Sequence, residues 1–408
     1  MTDPTPRPGT MAVNLASRHL GAGVIAASDE FFGEKENLLL PGLPQSQPGK
    51  FGNKGQIVDG WETRRRREPG YDVALVRLGA PGVIEDLVVD TRGFTGNYPA
   101  ACSVQATAAD GYPAAADLCG PSTEWVEIVG RADLRGDCEN LFTVHDTRRF
   151  THVRLCIYPD GGVARLRVRG EVIPDPRLLD GIPLDLAAQE NGGTVAGVSD
   201  RFYSDPANLI AAGRARVMGE GWETRRRRDS GNDWVMLRLA AAGNIRQVVV
   251  DTSYFVGNAP AACQVRGCAA ADADTGTAPW FDLLPRTPLR PDTRHRFPLP
   301  NDARMLNATH VRIDVYPDGG LARLRVYGDL TPGGRARLGL RWFDRLPAAQ
   351  AAAMLTADCG LSTEAATALA AERPFEEPPR LEELLRNGEF FAREGDAAPR
   401  IRALVLGS

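Results

Sequence analysis

Gly60-Trp61-Glu62-Thr63-Arg64-Arg65-Arg66-Arg67 recurs, residue for residue, as Gly221-Trp222-Glu223-Thr224-Arg225-Arg226-Arg227-Arg228, 161 positions later. The same offset carries Asp90-Thr91 and Gly96-Asn97-Tyr98-Pro99-Ala100-Ala101-Cys102 onto Asp251-Thr252 and Gly257-Asn258-Ala259-Pro260-Ala261-Ala262-Cys263. Thr151-His152-Val153-Arg154 and Tyr158-Pro159-Asp160-Gly161-Gly162 return as Thr309-His310-Val311-Arg312 and Tyr316-Pro317-Asp318-Gly319-Gly320, at an offset of 158. Upstream, Ser28-Asp29-Glu30-Phe31-Phe32 matches Ser199-Asp200-Arg201-Phe202-Tyr203 at 171. The extra residues of the first copy fall in the Pro/Gly stretch 39–49, a loop insertion. A period this long is the size of a domain, so the chain is a tandem duplication and not a solenoid.

Each copy reads as β-rich. Residues 72–78 and 234–239 are short apolar runs, and 87–91 and 248–252 are β-branched and end at turn residues. Residues 152–158 and 164–170 alternate apolar with polar, and Pro159-Asp160-Gly161-Gly162 between them has hairpin-type turn chemistry. The expected fold class is all-β: two tandem jelly-roll or β-sandwich modules, over 21–172 and 173–330. Residues 1–20 are expected to be a disordered tail. Thr331-Pro332-Gly333-Gly334 reads as a linker, and 341–408 as a small α-helical appendage, with Pro347 at a helix start and Ser362 as an N-cap.

Composition narrows the function. The net charge of −4 argues against nucleic-acid binding, which calls for a basic surface. No apolar run approaches the roughly 18 residues of a membrane span. Seven cysteines without a CxxC pair fit free thiols in a reducing compartment, hence a cytoplasmic location. No His/Cys/Asp set has metal-site spacing; no cofactor is expected, with a divalent metal left open.

The repeated residues supply the candidates. Arg forks match carboxylates and urea-like oxygens. Arg64, Arg65 and Arg66, with Arg225, Arg226 and Arg227, are therefore candidate substrate ligands. If the run is a strand, at most two of each four arginines converge on one ligand; the alternative is an Arg-rich surface strand anchored by Trp61 and Trp222. Glu62 and Glu223 are candidate acid/base groups. His152 and His310, at strand starts, are either polar caps or proton donors. Asp29 and Asp200 are further candidate binding residues, and Asp160 and Asp318 read as turn residues.

The ordered motifs Ser28–Phe32, Gly60–Arg65, Gly96–Pro99 and the two Tyr-Pro-Asp-Gly-Gly segments resemble the allantoicase family, over roughly residues 12 to 330. The resemblance implies two jelly-roll modules, hydrolysis of allantoate to ureidoglycolate and urea in purine breakdown, and a homo-oligomer. The rival expectation is a non-catalytic tandem binding protein for a small acidic or sugar ligand. Trp342–Ala348, Cys359-Gly360 and Arg373-Pro374-Phe375 also resemble the opening helices of the decarboxylase acting on 2-oxo-4-hydroxy-4-carboxy-5-ureidoimidazoline. The His-Pro pair of that family is replaced here by Ala398-Pro399, so no decarboxylase activity is expected.

Overall fold

Asp72–Asp90 is one 19-residue strand, and the first module is built around it. In the computed structural model, which describes residues 12–45, 49–53, 55–56, 58–270, 278–386 and 395–407, this strand belongs to two layers. Its first half pairs antiparallel with Gly23–Ala27 on one edge and Arg149–Tyr158 on the other. Ala101–Thr107 and Val126–Asp133 extend that layer. Its second half pairs with Glu139–Thr143 and with Arg165–Val172. The two runs expected as separate strands, 72–78 and 87–91, are thus one strand. The Gly79-Ala80-Pro81-Gly82 stretch between them marks the passage from layer to layer, where pairing with Arg149–Tyr158 jumps from Arg77 to Gly82.

The second module repeats this plan around Asp233–Asp251. Its core draws on both halves of that strand, Val235, Leu237 and Leu239 with Ile245, Val248 and Val250, and includes Trp222. The chain divides into two compact units, Ala12–Ile173 with Arg345–Gln350, and Pro174–Asp344 with the chain from Ala351 onward.

Three expectations change. The hairpin across Pro159–Gly162 does not form: Arg149–Tyr158 and Arg165–Val172 each pair with the long strand and not with each other. The turn residues between them are used elsewhere. Gly162–Val163 pairs with Trp61–Glu62, and Gly320–Leu321 with Trp222–Glu223. The tail expected over 1–20 lies outside the described residues only as far as 11. Val13–Asn14 pairs with Gly170 and Arg169, and Leu15 and Ala16 are fully buried, because this short apolar run completes the edge of the second layer. Finally, Thr331-Pro332-Gly333-Gly334 is no linker but the start of the helix Pro332–Arg345. Thr331 Oγ1 accepts the Gly334 amide at 3.0 Å and Pro332 takes the first helical position, where its missing N–H costs nothing.

The helices Ala348–Cys359, Thr363–Ala371 and Pro378–Arg386 follow, with Ser362 capping the second of these. Arg373 stacks over the Phe343 ring and the Asp344 carboxylate accepts the Phe375 and Glu376 amides, so these residues hold the helices together. No helix of the described residues is long and apolar enough to cross a membrane.

Candidate active site

The Arg run begins where a two-residue strand ends. Trp61 and Thr63 are buried while Glu62 is half-buried and Arg64 exposed, the alternation of an extended chain. Trp61 Nε1 donates to Asp29 O at 2.7 Å, and Trp222 Nε1 to Asp200 O at 2.9 Å. Each Trp therefore pins the Ser-Asp segment against its own strand. Thr63 N and Gly161 N complete the clamp, donating to Gly161 O and Thr63 Oγ1 at 3.1 Å.

Beyond Thr63 the chain is no longer a strand, so the strand limit on the arginines does not hold. Arg64, Arg65, Arg66 and Arg67 all line one open cleft of about 310 Å³, with Ser28, Asp29, Glu68 and Asp72. Two of the four form ion pairs with the protein. Arg64 N and Nε donate to Asp29 at 2.7 and 2.9 Å, and its guanidinium lies over the Phe31 ring. Arg66 Nη1 donates to the buried Asp72 at 2.9 Å, and Arg66 N to Asp160 Oδ2 at 2.8 Å. Arg65 and Arg67 are exposed and make no hydrogen bond or ion pair with the described residues. The second copy repeats the pattern: Arg225 pairs with Asp200, Arg227 with Asp233 and Asp318, and Arg226 and Arg228 are unpaired among the described residues.

Asp29 is therefore a positioning group and not a ligand for an anion. Burial alone would raise its carboxyl, but hydrogen bonds from the Arg64 backbone and side chain hold it below the usual range. Asp200 is held below its usual range in the same way by Phe202 N and Arg225. Asp160 and Asp318, expected as turn residues, also shape the Arg loops by accepting the Arg66 and Arg227 amides.

Glu62 lies two residues before Arg64 in the chain and is not itself among the residues lining this cleft. Its carboxylate accepts Asn97 Nδ2 at 2.7 Å, and Glu223 accepts Asn258 Nδ2 at 2.6 Å. Burial pushes the Glu62 carboxyl above its ordinary value, and the Asn97 bond pulls the other way. Asn97 and Asn258 received no role from sequence, although both lie in the repeated Gly-Asn-x-Pro segment. Asp72 and Asp233 were also missed. They open the long strands with no distinguishing motif, and only pairing shows that Ser28 and Arg66, or Ser199 and Arg227, converge on them.

The Asn97 loop is held by Gly161. Gly162 N donates to Asn97 O at 2.8 Å, and Gly161 has φ 139°. A Cβ there would sit 2.7 Å from Asn97 O and 2.8 Å from Pro99 N. Gly161→Ala is expected to destabilise the first module by roughly 1–3 kcal/mol from backbone strain alone. Denaturant unfolding checks this, and an unchanged midpoint would remove Gly161 from the site's framework.

The histidines do not reach this site. His152 is the fourth residue of its strand, is 3% exposed, and pairs in register with Arg77. Tyr158, at the end that abuts the cleft, is six residues on, about 20 Å along an extended strand. Burial first, then the Arg77 charge, push the His152 pKa down to about 4, so the imidazole stays neutral. His310 occupies the same buried position opposite Arg238. Both Nδ1 atoms meet the preceding Thr hydroxyl, at 2.8 and 3.0 Å. The cysteines are free, and burial pushes Cys102 and Cys263 up to about 12, which removes them as nucleophiles. Among the described residues, no group of three or more His, Cys, Asp or Glu is arranged to hold a metal ion.

The allantoicase repeat model matches residues 13–173 and again 184–331, the two modules just described. This chain belongs to the allantoicase family. A probable allantoicase of Nocardia farcinica is 55% identical over 326 residues, 80% of this chain and 96% of its own length. A probable allantoicase of Streptomyces coelicolor is 48% identical over 82% of this chain and 90% of its own. The crystal structure of the Saccharomyces cerevisiae allantoicase superposes with a TM-score of 0.66 at 33% identity, covering 78% of this chain and 93% of the yeast one. The helices beyond residue 331 lie outside the allantoicase repeat match.

Proposed function

We propose that this chain is an allantoicase: it hydrolyses allantoate to ureidoglycolate and urea, a step of purine-derived ureide breakdown. The observation that carries this is 55% identity, across both repeats, to a protein named probable allantoicase. The site chemistry supports it. Allantoate bears one carboxylate and two ureido arms on a single carbon. The Arg-lined cleft, where Arg65 and Arg67 are unpaired and Arg66 is only partly paired among the described residues, offers forks for the carboxylate and ureido oxygens. Glu62, whose carboxyl burial pushes above its ordinary value, gives its proton to the departing urea nitrogen as the C–N bond breaks. It then takes a proton back from the water that adds to the carbon.

Urea release from allantoate by the purified chain, with and without chelator, tests the reading. Release is expected; loss on chelation would add a divalent metal to the scheme. Absence of release under every metal condition would favour a non-catalytic binder. A cytoplasmic location agrees with seven free cysteines. Assembly as a homo-oligomer rests on family resemblance, and light scattering tests it.

A further inference from the structure

The two repeats differ at one position that matters for the Arg grip. In the second module, Asp229 takes the fork of Arg227 with both oxygens: Arg227 Nε donates to Oδ1 and Nη2 to Oδ2, each at 2.9 Å. Gly231 N fixes the same carboxylate at 2.9 Å. Arg227 Nη1 is meanwhile held by Asp233, so each of the three guanidinium nitrogens has a carboxylate partner. The first module has Glu68 where the second has Asp229. Glu68 is exposed and makes no hydrogen bond with the described residues. Arg66 keeps its Nη1 bond to Asp72, but its Nε is buried with no partner and its Nη2 has none among the described residues. Glu68 and Arg66 both line the 310 Å³ cleft.

An unsatisfied buried donor on a charged group is costly. The group that relieves it is on view in the other copy: a carboxylate seated side-on to the Nε–Nη2 edge. The Asp229 pair is solvent-exposed, with 66% of the Asp side chain accessible, and so adds little stability. What it does is fill the fork, so that a ligand carboxylate has to displace it. Glu68, longer by one methylene, seats no carboxylate on the corresponding edge of Arg66, whose Nε is left without an acceptor.

We infer that the two modules are not equivalent ligand sites: the first binds the substrate carboxylate on the Arg66 fork, and the second is closed by its own Asp229, with the residue two positions after the arginine deciding which. This rests on the carboxylate-grip reading above and names the module and the residue that set it.

The test titrates the full chain calorimetrically with ureidoacetate, which has one carboxylate and one ureido arm and no second arm to lose. Wild type is expected to take one molecule per chain. Asp229→Ala is expected to take two, because the second fork is freed while Arg227 keeps Asp233. Glu68→Asp is expected to weaken the first site by about tenfold or more, the loss of a charge-assisted pair. Both substituted side chains are exposed, so folding is not at stake. Two molecules per wild-type chain, no binding at all, an unchanged stoichiometry in Asp229→Ala, or an unchanged affinity in Glu68→Asp would each overturn the inference. Urea release from allantoate, measured separately, reports the catalytic reading; titration reports the fork whatever the turnover.

Discussion

Glu62→Gln is expected to lower kcat for urea release by about 10²–10⁴-fold, the range for losing a positioned acid/base group. Glutamine keeps the shape and can still meet Asn97, but it carries no exchangeable acid proton. Glu223→Gln is expected to leave turnover within about twofold if the first module does the work, since surface-accessible changes away from the reacting site move little. Full activity in both variants would sink the Glu assignment, and equal losses would make the two modules partners in catalysis. The pH profile gives a second readout. Burial raises the Glu62 carboxyl while Asn97 lowers it. A raised carboxyl stays protonated to higher pH than one in water, so an acid role predicts activity that falls as pH rises through that elevated value. Asn97→Ala removes the lowering contact, and the falling limb should move further up. A limb that moves down, or does not move, contradicts the acid role.

Trp61→Ala is expected to destabilise the first module by about 3–5 kcal/mol, the usual cost of emptying a fully buried aromatic site. Trp61 is 0% exposed, and its Nε1 bond to Asp29 O is lost with it. At about 2–4 °C per kcal/mol for a domain of this size, the midpoint should fall by roughly 6–20 °C. Arg65→Ala is the contrasting variant. Its side chain is exposed and unpaired among the described residues, so stability should stay within about 0.5 kcal/mol while the apparent affinity for allantoate drops. Scanning calorimetry and urea-release kinetics on the two variants separate scaffold from grip. A Trp61→Ala protein with an unaltered midpoint would show that the Trp does not anchor the cleft.

Much of the molecule was readable from one sequence because it is written twice. Repetition located the modules, the β-rich character and the Trp-Glu-Thr-Arg run without any fold knowledge. Trp61 and Trp222, core anchors only in the surface-strand alternative, are both fully buried. Composition and the Ser362 cap also placed the helix that follows. Local signals failed where a long-range partner claimed the same residues. Pro159–Gly162 has good turn chemistry, yet Gly162–Val163 is recruited by the Trp61–Glu62 strand. Thr331–Gly334 has linker composition, yet the Thr caps a helix that a Pro can start. The histidines carried the residue type for proton transfer but sit some six strand positions from the cleft.

The sequence by itself determined which residues are duplicated, that the two modules are β-rich and the C-terminal part helical, and which side chains have the chemistry to hold an acid. Those properties belong to the chain and its periodicities. Only the tertiary structure decided which arginines are available to a ligand. Arg64 is tied down by Asp29, 35 positions away, while Asp72 holds only Nη1 of Arg66 and leaves its Nε–Nη2 edge without a partner among the described residues, and neither outcome has a local signature. The same holds for the difference between the repeats. Glu68 and Asp229 look like a conservative exchange in a sequence, and one methylene becomes consequential only where a folded Arg fork either receives the carboxylate or does not.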